Sequence, residues 1–380
     1  MSGFGYNDVA DQAWMLLDES RDAYADALRE VITADSVVLD IGSGSGVWAL
    51  LAAKLGARKV YAVERTVMAE LITDMARENG VDDVVEVLHI DARALEHLDP
   101  KPNVVVSEML GHFAPDENQH QLYRLAERLC VDGATFIPSA YSVELALADS
   151  PHLRREVERL QNYQGVSMAP LVNRLVNRTH LGAHDASMLL CTAASTDMVS
   201  STAPLPETYE AKVTVSKAGR ANAIVASFVA QLSSTVTLRT SVSAPRTHWQ
   251  QTVFPLSPEL DVDVGDDVLL SIIPRAVTNR DSYAWSAKSG DVLTGGDGMK
   301  ALLGGKAAML AALGFVLKQP ELSSSKTMAH WRTALNADAD NIEAMADAVY
   351  AAHPADFTEV REAKETVLDL LQKSGGLQLQ

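Results

Sequence analysis

The segment that most constrains this chain is Val37-Val38-Leu39-Asp40-Ile41, a β-branched run that ends in Gly42-Ser43-Gly44-Ser45-Gly46 and leads into helix-forming residues from Val47 to Leu55. A strand that breaks into glycines and then a helix is the opening of a βαβ unit, because parallel strands need a long crossover. A second strand is expected at Lys59–Val63, and further strands at Val84–His89 and Val104–Ser107 keep the alternation going. That order predicts an α/β, doubly wound, Rossmann-like sheet. Ahead of it, residues 8–32 place Val9, Ala13, Leu16, Leu17, Ala23, Ala27 and Val31 near one stripe, as in a single amphipathic helix.

Near Gly133–Pro138 the pattern changes. Tyr141–Ala148, Tyr209–Val215, Ala221–Leu232, Thr235–Ser243 and Val262–Ile273 alternate or run apolar, with turn residues at Ala218-Gly219 and Gly265-Asp266. A β-rich second domain is expected there, with residues 151–200 as a partly helical excursion. From about 298 the spacing of Ile342, Met345, Val349 and of Val360, Ala363, Val367, Leu371 is helical, and Asp356 with Glu359 resembles a capping box. The domains read from this pattern are 1–138, 139–297 and 298–380.

Composition narrows the function classes. With 380 residues, 47% of them hydrophobic and 22% charged, the chain is globular rather than disordered. Fifty acidic against 32 basic residues give −18, a field that repels phosphates, so no nucleic-acid partner is expected. Cys130 and Cys191 lie 61 residues apart and form no CxxC, which excludes a cysteine-rich zinc site and a disulfide framework. The start, MSGFGYNDVADQ, lacks the regions of a signal peptide, and the run Leu302 to Leu317 carries Lys306 and is too short for a span. A cytoplasmic protein without membrane partners is expected.

Two places carry chemistry. The glycine-rich turn lets a ligand approach the backbone closely, and by itself it is compatible with NAD, a nucleoside or a plain tight turn. Glu64, 24 residues after Asp40 at the end of the second strand, is placed to accept hydrogen bonds from ribose hydroxyls. The spacing D-x-G-x-G-x-G fits S-adenosylmethionine enzymes better than the dinucleotide fingerprint. The second place is Ser107-Glu108-Met109-Leu110-Gly111, with Glu117 nine residues beyond Glu108. Two carboxylates at one strand end suit a planar guanidinium held by parallel hydrogen bonds; the alternative is a solvated acidic loop.

Taken together, Val38 to Gly46, Ala57-Arg58-Lys59-Val60, Glu64, Ser107-Glu108 and Glu117 resemble the cofactor motifs and "double-E" loop of protein arginine methyltransferases. Met15-Leu16-Leu17-Asp18-Glu19-Ser20-Arg21 resembles that family's N-terminal M-L-x-D-x-x-R helix, and Thr247-His248-Trp249 its "THW" loop; Asn279-Arg280-Asp281 also fits. The resemblance covers about residues 6–290. It implies a Rossmann-like domain followed by a β-barrel, a dimerisation arm at about 165–200, a homodimer, and S-adenosyl-L-methionine as cofactor with S-adenosyl-L-homocysteine as product and no metal. Arg21 would meet the cofactor carboxylate, Asp40, Gly42 and Gly44 its methionine and sugar, Glu64 the ribose, and Ala92-Arg93 the adenine. Glu108 and Glu117 would clamp the guanidinium, Asp18 and His248 would pair between domains, and Tyr6, Met15 and Trp249 would line the reacting pocket. Read without the resemblance, His248 is also compatible with a buried packing histidine, Arg21 with a surface charge and Trp249 with core.

The chain departs from that family in four places, the first being the N-terminal aromatic pair, reduced here to Phe4 and Tyr6. Met109-Leu110 stands where Trp-Met is usual, Ala92-Arg93 where Val-Glu is common, and Gln119 where a methionine is expected. The residues 298–380 have no counterpart in the minimal architecture. The expected reaction is methyl transfer to the guanidino group of free arginine or a related small metabolite, in a biosynthetic role such as natural-product assembly that bacterial relatives often serve; protein arginine is the alternative. A silent scaffold that binds partners is a competing class, disfavoured because both glutamates and the glycine loop are present.

Overall fold

The structure, a computed structural model, describes residues 9–114, 117, 119–182, 184–274, 283–298, 301, 330, 333–334, 342–357 and 359–373, with side chains left out at 342–343 and 368–373. Tyr6, Asn279-Arg280-Asp281 and the side chains of Ile342 and Leu371 lie outside what is described.

The parallel sheet is built from β1 (Val37–Ile41), β2 (Lys59–Val63), β3 (Val85–Leu88), β4 (Val104–Val106) and β5 (Thr135–Ile137), in the order β3-β2-β1-β4-β5. All five β1 residues are buried, as expected of a strand covered on both faces. The chain order reverses between β1 and β4, whose registers pair Val38 with Val104 and Asp40 with Val106. That reversal opens a crevice at the carboxyl ends of the two strands, where open α/β sheets bind ligands. Val37, Leu39, Ile41, Tyr61 and Val105 form the core on one side with Tyr123 and Ala126 of a helix at Gln119–Leu129.

The N-terminal segment is not one helix. It divides into α1 (Val9–Leu16), a single 3-10 turn at Glu19–Arg21 and α2 (Asp22–Val31). The break falls at Asp18, whose Oδ1 accepts the Ser20 amide at 3.0 Å and the Ser20 hydroxyl at 2.6 Å, the behaviour of an N-cap. The expected stripe fails over α1: Val9 and Leu17 are 61% and 82% exposed, whereas Gln12 and Met15 are buried. Gln12 is turned inward because the glycine loop beneath it offers backbone amides that need an acceptor.

An antiparallel sheet follows, made of β6 (Ala140–Ala148), β7 (Tyr209–Thr214), β8 (Gly219–Gln231), β9 (Gln251–Val262), β10 (Asp267–Pro274), β11 (Tyr283–Ser289) and β12 (Val292–Asp297), in the order β6-β8-β9-β12-β11-β10-β7. Tyr141 of β6 and Tyr209 of β7 share a hydrogen bond of 2.8 Å between hydroxyls, so the two ends of the sheet meet in a nearly closed barrel. The expected strand Val262–Ile273 is interrupted at its expected turn, Gly265-Asp266, with Val262 ending β9 and Asp267 opening β10. A tight turn divides it, with the Asp263 amide donating to Asp266 Oδ2 at 2.8 Å and Gly265 at φ +96°. Thr235–Ser243 shrinks to the pairing of Thr237–Arg239 with β8.

By its internal contacts the chain forms two compact units. One comprises Met1–Pro151, His180–Ser271 and Ser286–Thr294, and so holds the parallel sheet and the body of the barrel; the other comprises His152–Thr179, Ile272–Trp285 and Gly295–Gln380. Within the second unit helices run at Pro151–Gln161, Ala169–Leu175, Ile342–Ala352 and Val360–Lys373. The last two bury Met345, Val349, Ala363 and Val367 of the predicted stripes, with Ala346 beside them, whereas Val360 of the predicted stripe is 39% exposed. No helix among the described residues is long and apolar enough to cross a membrane.

Candidate active site

The glycine loop takes its shape from backbone geometry that side chains disfavour. Gly44 and Gly46 sit at φ +54° and +79°, and a Cβ on Gly44 would lie 2.8 Å from Gln12 Oε1. Asp40 is buried; its Oδ2 accepts the Ala49 amide at 3.1 Å, while Oδ1 has no hydrogen-bond partner among the described residues. Burial pushes the Asp40 carboxyl up to about 7. Glu64, also buried, spans two backbone amides: Gly44 donates to Oε2 at 2.9 Å and Thr66 to Oε1 at 2.8 Å. Gln12, which the sequence patterns did not single out, accepts the Ser45 amide at 2.9 Å. No sequence pattern marked it, since it lies off the apolar stripe expected for residues 8–32.

At the end of β4, Ser107 donates its hydroxyl to the Ile41 carbonyl at 2.7 Å and accepts on its own carbonyl the Gln119 side-chain amide at 3.0 Å. These bonds tie the double-E loop to β1 and to the helix that follows. Gln119 is thus an anchor of the loop, a second residue whose role the pattern did not reveal. Met109 reaches back toward the glycine loop, 2.9 Å from where a Cβ on Gly42 would stand.

The Glu108 side chain is 10% exposed and pairs with Arg21, Nη2 to Oε2 at 3.1 Å. Burial raises its carboxyl to about 7, the Arg21 charge opposing and the Glu117 charge adding to the rise. Glu117 therefore lies close enough to repel a charged Glu108. The Arg21 guanidinium lies 5.3 Å over the Trp48 ring, and its Nε is buried with no hydrogen-bond partner among the described residues.

The remaining expected residues divide. Asp18 Oδ2 accepts both the His248 amide at 2.6 Å and His248 Nδ1 at 2.7 Å. Burial works against the Asp18 charge, but these bonds and those from Ser20 hold its carboxyl below the usual range. Burial drives the His248 imidazole down to about 4, against the pull of Asp18; at neutral pH it is uncharged, and the Nδ1 hydrogen bond to Asp18 leaves Nε2 as the lone-pair nitrogen. Trp249 is buried, donates Nε1–H to the Leu110 carbonyl at 2.7 Å, and accepts His112 Nδ1 on its own carbonyl, so the THW loop and the double-E loop are bonded to each other. Met15 is buried in α1. Ala92 belongs to the core of the parallel sheet, whereas Arg93 is exposed and held by Asp91 through Nε at 2.9 Å and Nη2 at 2.6 Å. The Arg93 side-chain hydrogen bond above all, with its charge and backbone amide, lowers Asp91 to about 2.

The family profiles of two descriptions match this chain: "Arginine methyltransferase oligomerization subdomain" over residues 156–285 and "Ribosomal protein L11 methyltransferase (PrmA)" over residues 25–139. The enzyme–prozyme heterotetrameric PRMT1 complex of Trypanosoma brucei with AdoHcy superposes with a TM-score of 0.69 at 23% identity, over 75% of this chain and 94% of that one. Arabidopsis thaliana protein arginine methyltransferase 10 gives 0.66 at 23% identity, over 77% and 98%. At that identity the two structures establish the fold alone. Protein arginine N-methyltransferase 1 of Oryza sativa subsp. indica is 27% identical over 258 residues, 65% of this chain and 67% of that protein. Protein arginine N-methyltransferase PRMT10 of Oryza sativa subsp. japonica is 30% identical over 307 residues, 70% of this chain and 80% of that protein. The strand-and-glycine crevice, the two linked loops and this extent of matching sequence make the chain a member of the protein arginine N-methyltransferase family.

Proposed function

We propose that this chain transfers a methyl group from S-adenosylmethionine to a guanidino nitrogen of arginine, and that the arginine is carried by a protein. The observation that carries the reading is Glu108: a carboxylate at the crevice of the parallel sheet, its side chain only 10% exposed, paired in the structure with a guanidinium, that of Arg21. The same face of chemistry would receive the guanidinium of a substrate.

The crevice suits the cofactor on its own atoms. Asp40 Oδ1 and Arg21 Nε are a buried acceptor and a buried donor without protein hydrogen-bond partners among the described residues, and groups of that kind need a partner. Asp40, Gly42 and Gly44 would hold the methionine and sugar portion, Arg21 its carboxylate and Glu64 the ribose. When bound, S-adenosylmethionine supplies an electrophilic methyl group on a sulfonium. The chain's own task is then positioning. Glu108 and Glu117 would accept hydrogen bonds from two guanidinium nitrogens, concentrate the positive charge there and leave the third nitrogen directed at the methyl. As that nitrogen becomes acidic during transfer, Glu108, raised to about 7, is matched to take up the proton near neutral pH. His248, pushed down to about 4, is a weaker base and serves with Asp18 to hold α1 and the THW loop together.

The acceptor departs from the small metabolite expected from sequence. The relatives cited are protein arginine methyltransferases by name, which favours protein-borne over free arginine. A match to the oligomerisation subdomain over 156–285 supports assembly into at least a dimer, with residues at about 165–200 as its arm. The domains proposed are 1–138 for the cofactor, 139–297 for the barrel and 298–380 as an extension.

The test is competition. Full-length protein is incubated with methyl-labelled cofactor, an arginine-rich protein and free arginine together, and the products are read by mass spectrometry. Label on the protein is the expected result; label on free arginine alone rejects the acceptor, and label on neither rejects the activity.

A further inference from the structure

Residues 330–356 lie beyond the segments that either family profile matches, 25–139 and 156–285, and the methyl-transfer reading assigns them nothing. Three metal-capable side chains meet there. His330, His353 and Asp356 each offer one donor atom, and these atoms lie within 4.8 Å of one another. His330 is 5% exposed, and its Nε2 is 2.7 Å from Asp356 Oδ2. His353 Nε2 is 2.8 Å from the Thr333 hydroxyl, and the Phe357 ring covers His330 at 4.9 Å.

The local sequence sets two of the three groups in advance. The His353 amide closes the end of the helix Ile342–Ala352 on the Val349 carbonyl at 3.0 Å, and the Asp356 amide returns to the His353 carbonyl at 3.0 Å. His353-Pro354-Ala355-Asp356 is thus a hydrogen-bonded β-turn with proline at its second position, where the ring fixes φ. A rigid turn brings an imidazole and a carboxylate together, and a second segment brings His330 to them. Thr333, in contact with His353 Nε2, fixes the orientation of that ring, as neighbouring groups do for metal-ligating histidines.

We propose that His330, His353 and Asp356 form a Zn²⁺ site in which the ion replaces the proton now shared between His330 and Asp356. Two imidazole nitrogens and one carboxylate suit Zn²⁺ and leave its fourth position for water, whereas Ca²⁺ and Mg²⁺ require an oxygen shell that this cluster lacks. Zinc–nitrogen bonds of about 2.0–2.1 Å put tetrahedral ligand atoms roughly 3.3 Å apart, so the widest pair has only to close by an ångström or so. Such an ion clips the segment carrying His330 to the turn after Ile342–Ala352. The absence of cysteine ligands, which excluded a cysteine-rich zinc site from sequence, does not bear on a histidine–carboxylate one.

The experiment uses full-length protein stripped with a chelator and titrated calorimetrically with Zn²⁺ alone, with Mg²⁺ as the oxygen-preferring control. One Zn²⁺ per chain, a higher melting temperature in its presence and no saturable Mg²⁺ binding are expected. H353Q and D356N should lose more than about 100-fold in Zn²⁺ affinity, since loss of an outer partner alone costs about 10- to 100-fold; T333V should lose about tenfold. H152Q, which removes an exposed histidine elsewhere, should bind as the parent does. D356N keeps the size of the side chain, and circular dichroism of each variant distinguishes a lost ligand from a lost fold. Absence of saturable Zn²⁺ binding in the parent, or binding of equal strength in folded H353Q and D356N, overturns the site.

Discussion

Two carboxyls, Asp40 and Glu108, are both raised to about 7 by burial. A carboxylate taken from water into a poorly solvated crevice loses hydration, and only a positive partner restores it. For Glu108 that partner is Arg21, so substitution acts on two functions at once. Glu117→Gln should lower turnover by about 10²-fold or more while cofactor affinity, measured by calorimetry, stays unchanged; near-parental turnover would remove Glu117 from the clamp. Glu108→Gln should lower turnover at least as much and also change cofactor affinity, because Arg21 is released. The linkage to pH has a definite sign. A carboxyl whose pKa is higher in the folded than in the unfolded chain keeps its proton longer when folded, so its contribution to stability is present at low pH and is lost as pH rises from about 4.5 to about 7. Urea unfolding of the cofactor-free protein should therefore show the parent losing stability relative to Glu108→Gln across that window. A difference that is flat with pH would mean that Glu108 titrates as an ordinary exposed carboxyl.

At the level of elements, the site depends on loops whose positions are set by backbone bonds to their neighbours. The glycine loop is held by Glu64 from one side and Gln12 from the other, and the double-E loop is held by Ser107, Gln119 and Trp249. These contacts are short in space, yet Trp249 to Leu110 crosses 139 residues of sequence. Gly46 is the tightest point: at φ +79°, a Cβ there would come within 2.7 Å of Ile72 Cγ2. Gly46→Ala should cost about 1–3 kcal/mol from left-handed backbone alone, with the clash in addition. Gly56→Ala, at φ +95° with nothing within 4 Å, should cost less. Paired denaturation curves check the order, and equal losses would mean that Ile72 yields freely.

Across the whole molecule, the charge of −18 bears on how the proposed acceptor would be captured. An acidic protein draws in a polycation through long-range attraction that salt screens over about 8 Å at physiological ionic strength. With an arginine-rich protein as substrate, kcat/KM should fall steeply as salt is raised, with most of the change in KM; the single guanidinium of free arginine should show a much shallower dependence. Equal salt dependence for both acceptors would mean that the net charge plays no part in capture.

Sequence alone determined what depends on short-range chemistry. The β1 run, its glycine turn, Glu64 at the end of β2 and Glu108 at the end of β4 were legible because strand propensity, positive-φ glycines and strand-end placement are local properties. The pairing of Asp18 with His248, 230 residues apart, was implied only by the resemblance to the family, not by any local pattern. What only the tertiary structure decided is what each polar group touches. Apolar periodicity ran the first helix through Asp18 and passed over Gln12, because a period counts side chains and is blind to backbone amides waiting on another element. Arg21 bonded to Glu108, Gln119 holding Ser107, Trp249 bonded to Leu110 and His330 meeting Asp356 all satisfy buried donors and acceptors across distant segments. Such partners are selected by packing, since a polar group removed from water takes whichever complementary atom the fold brings within reach.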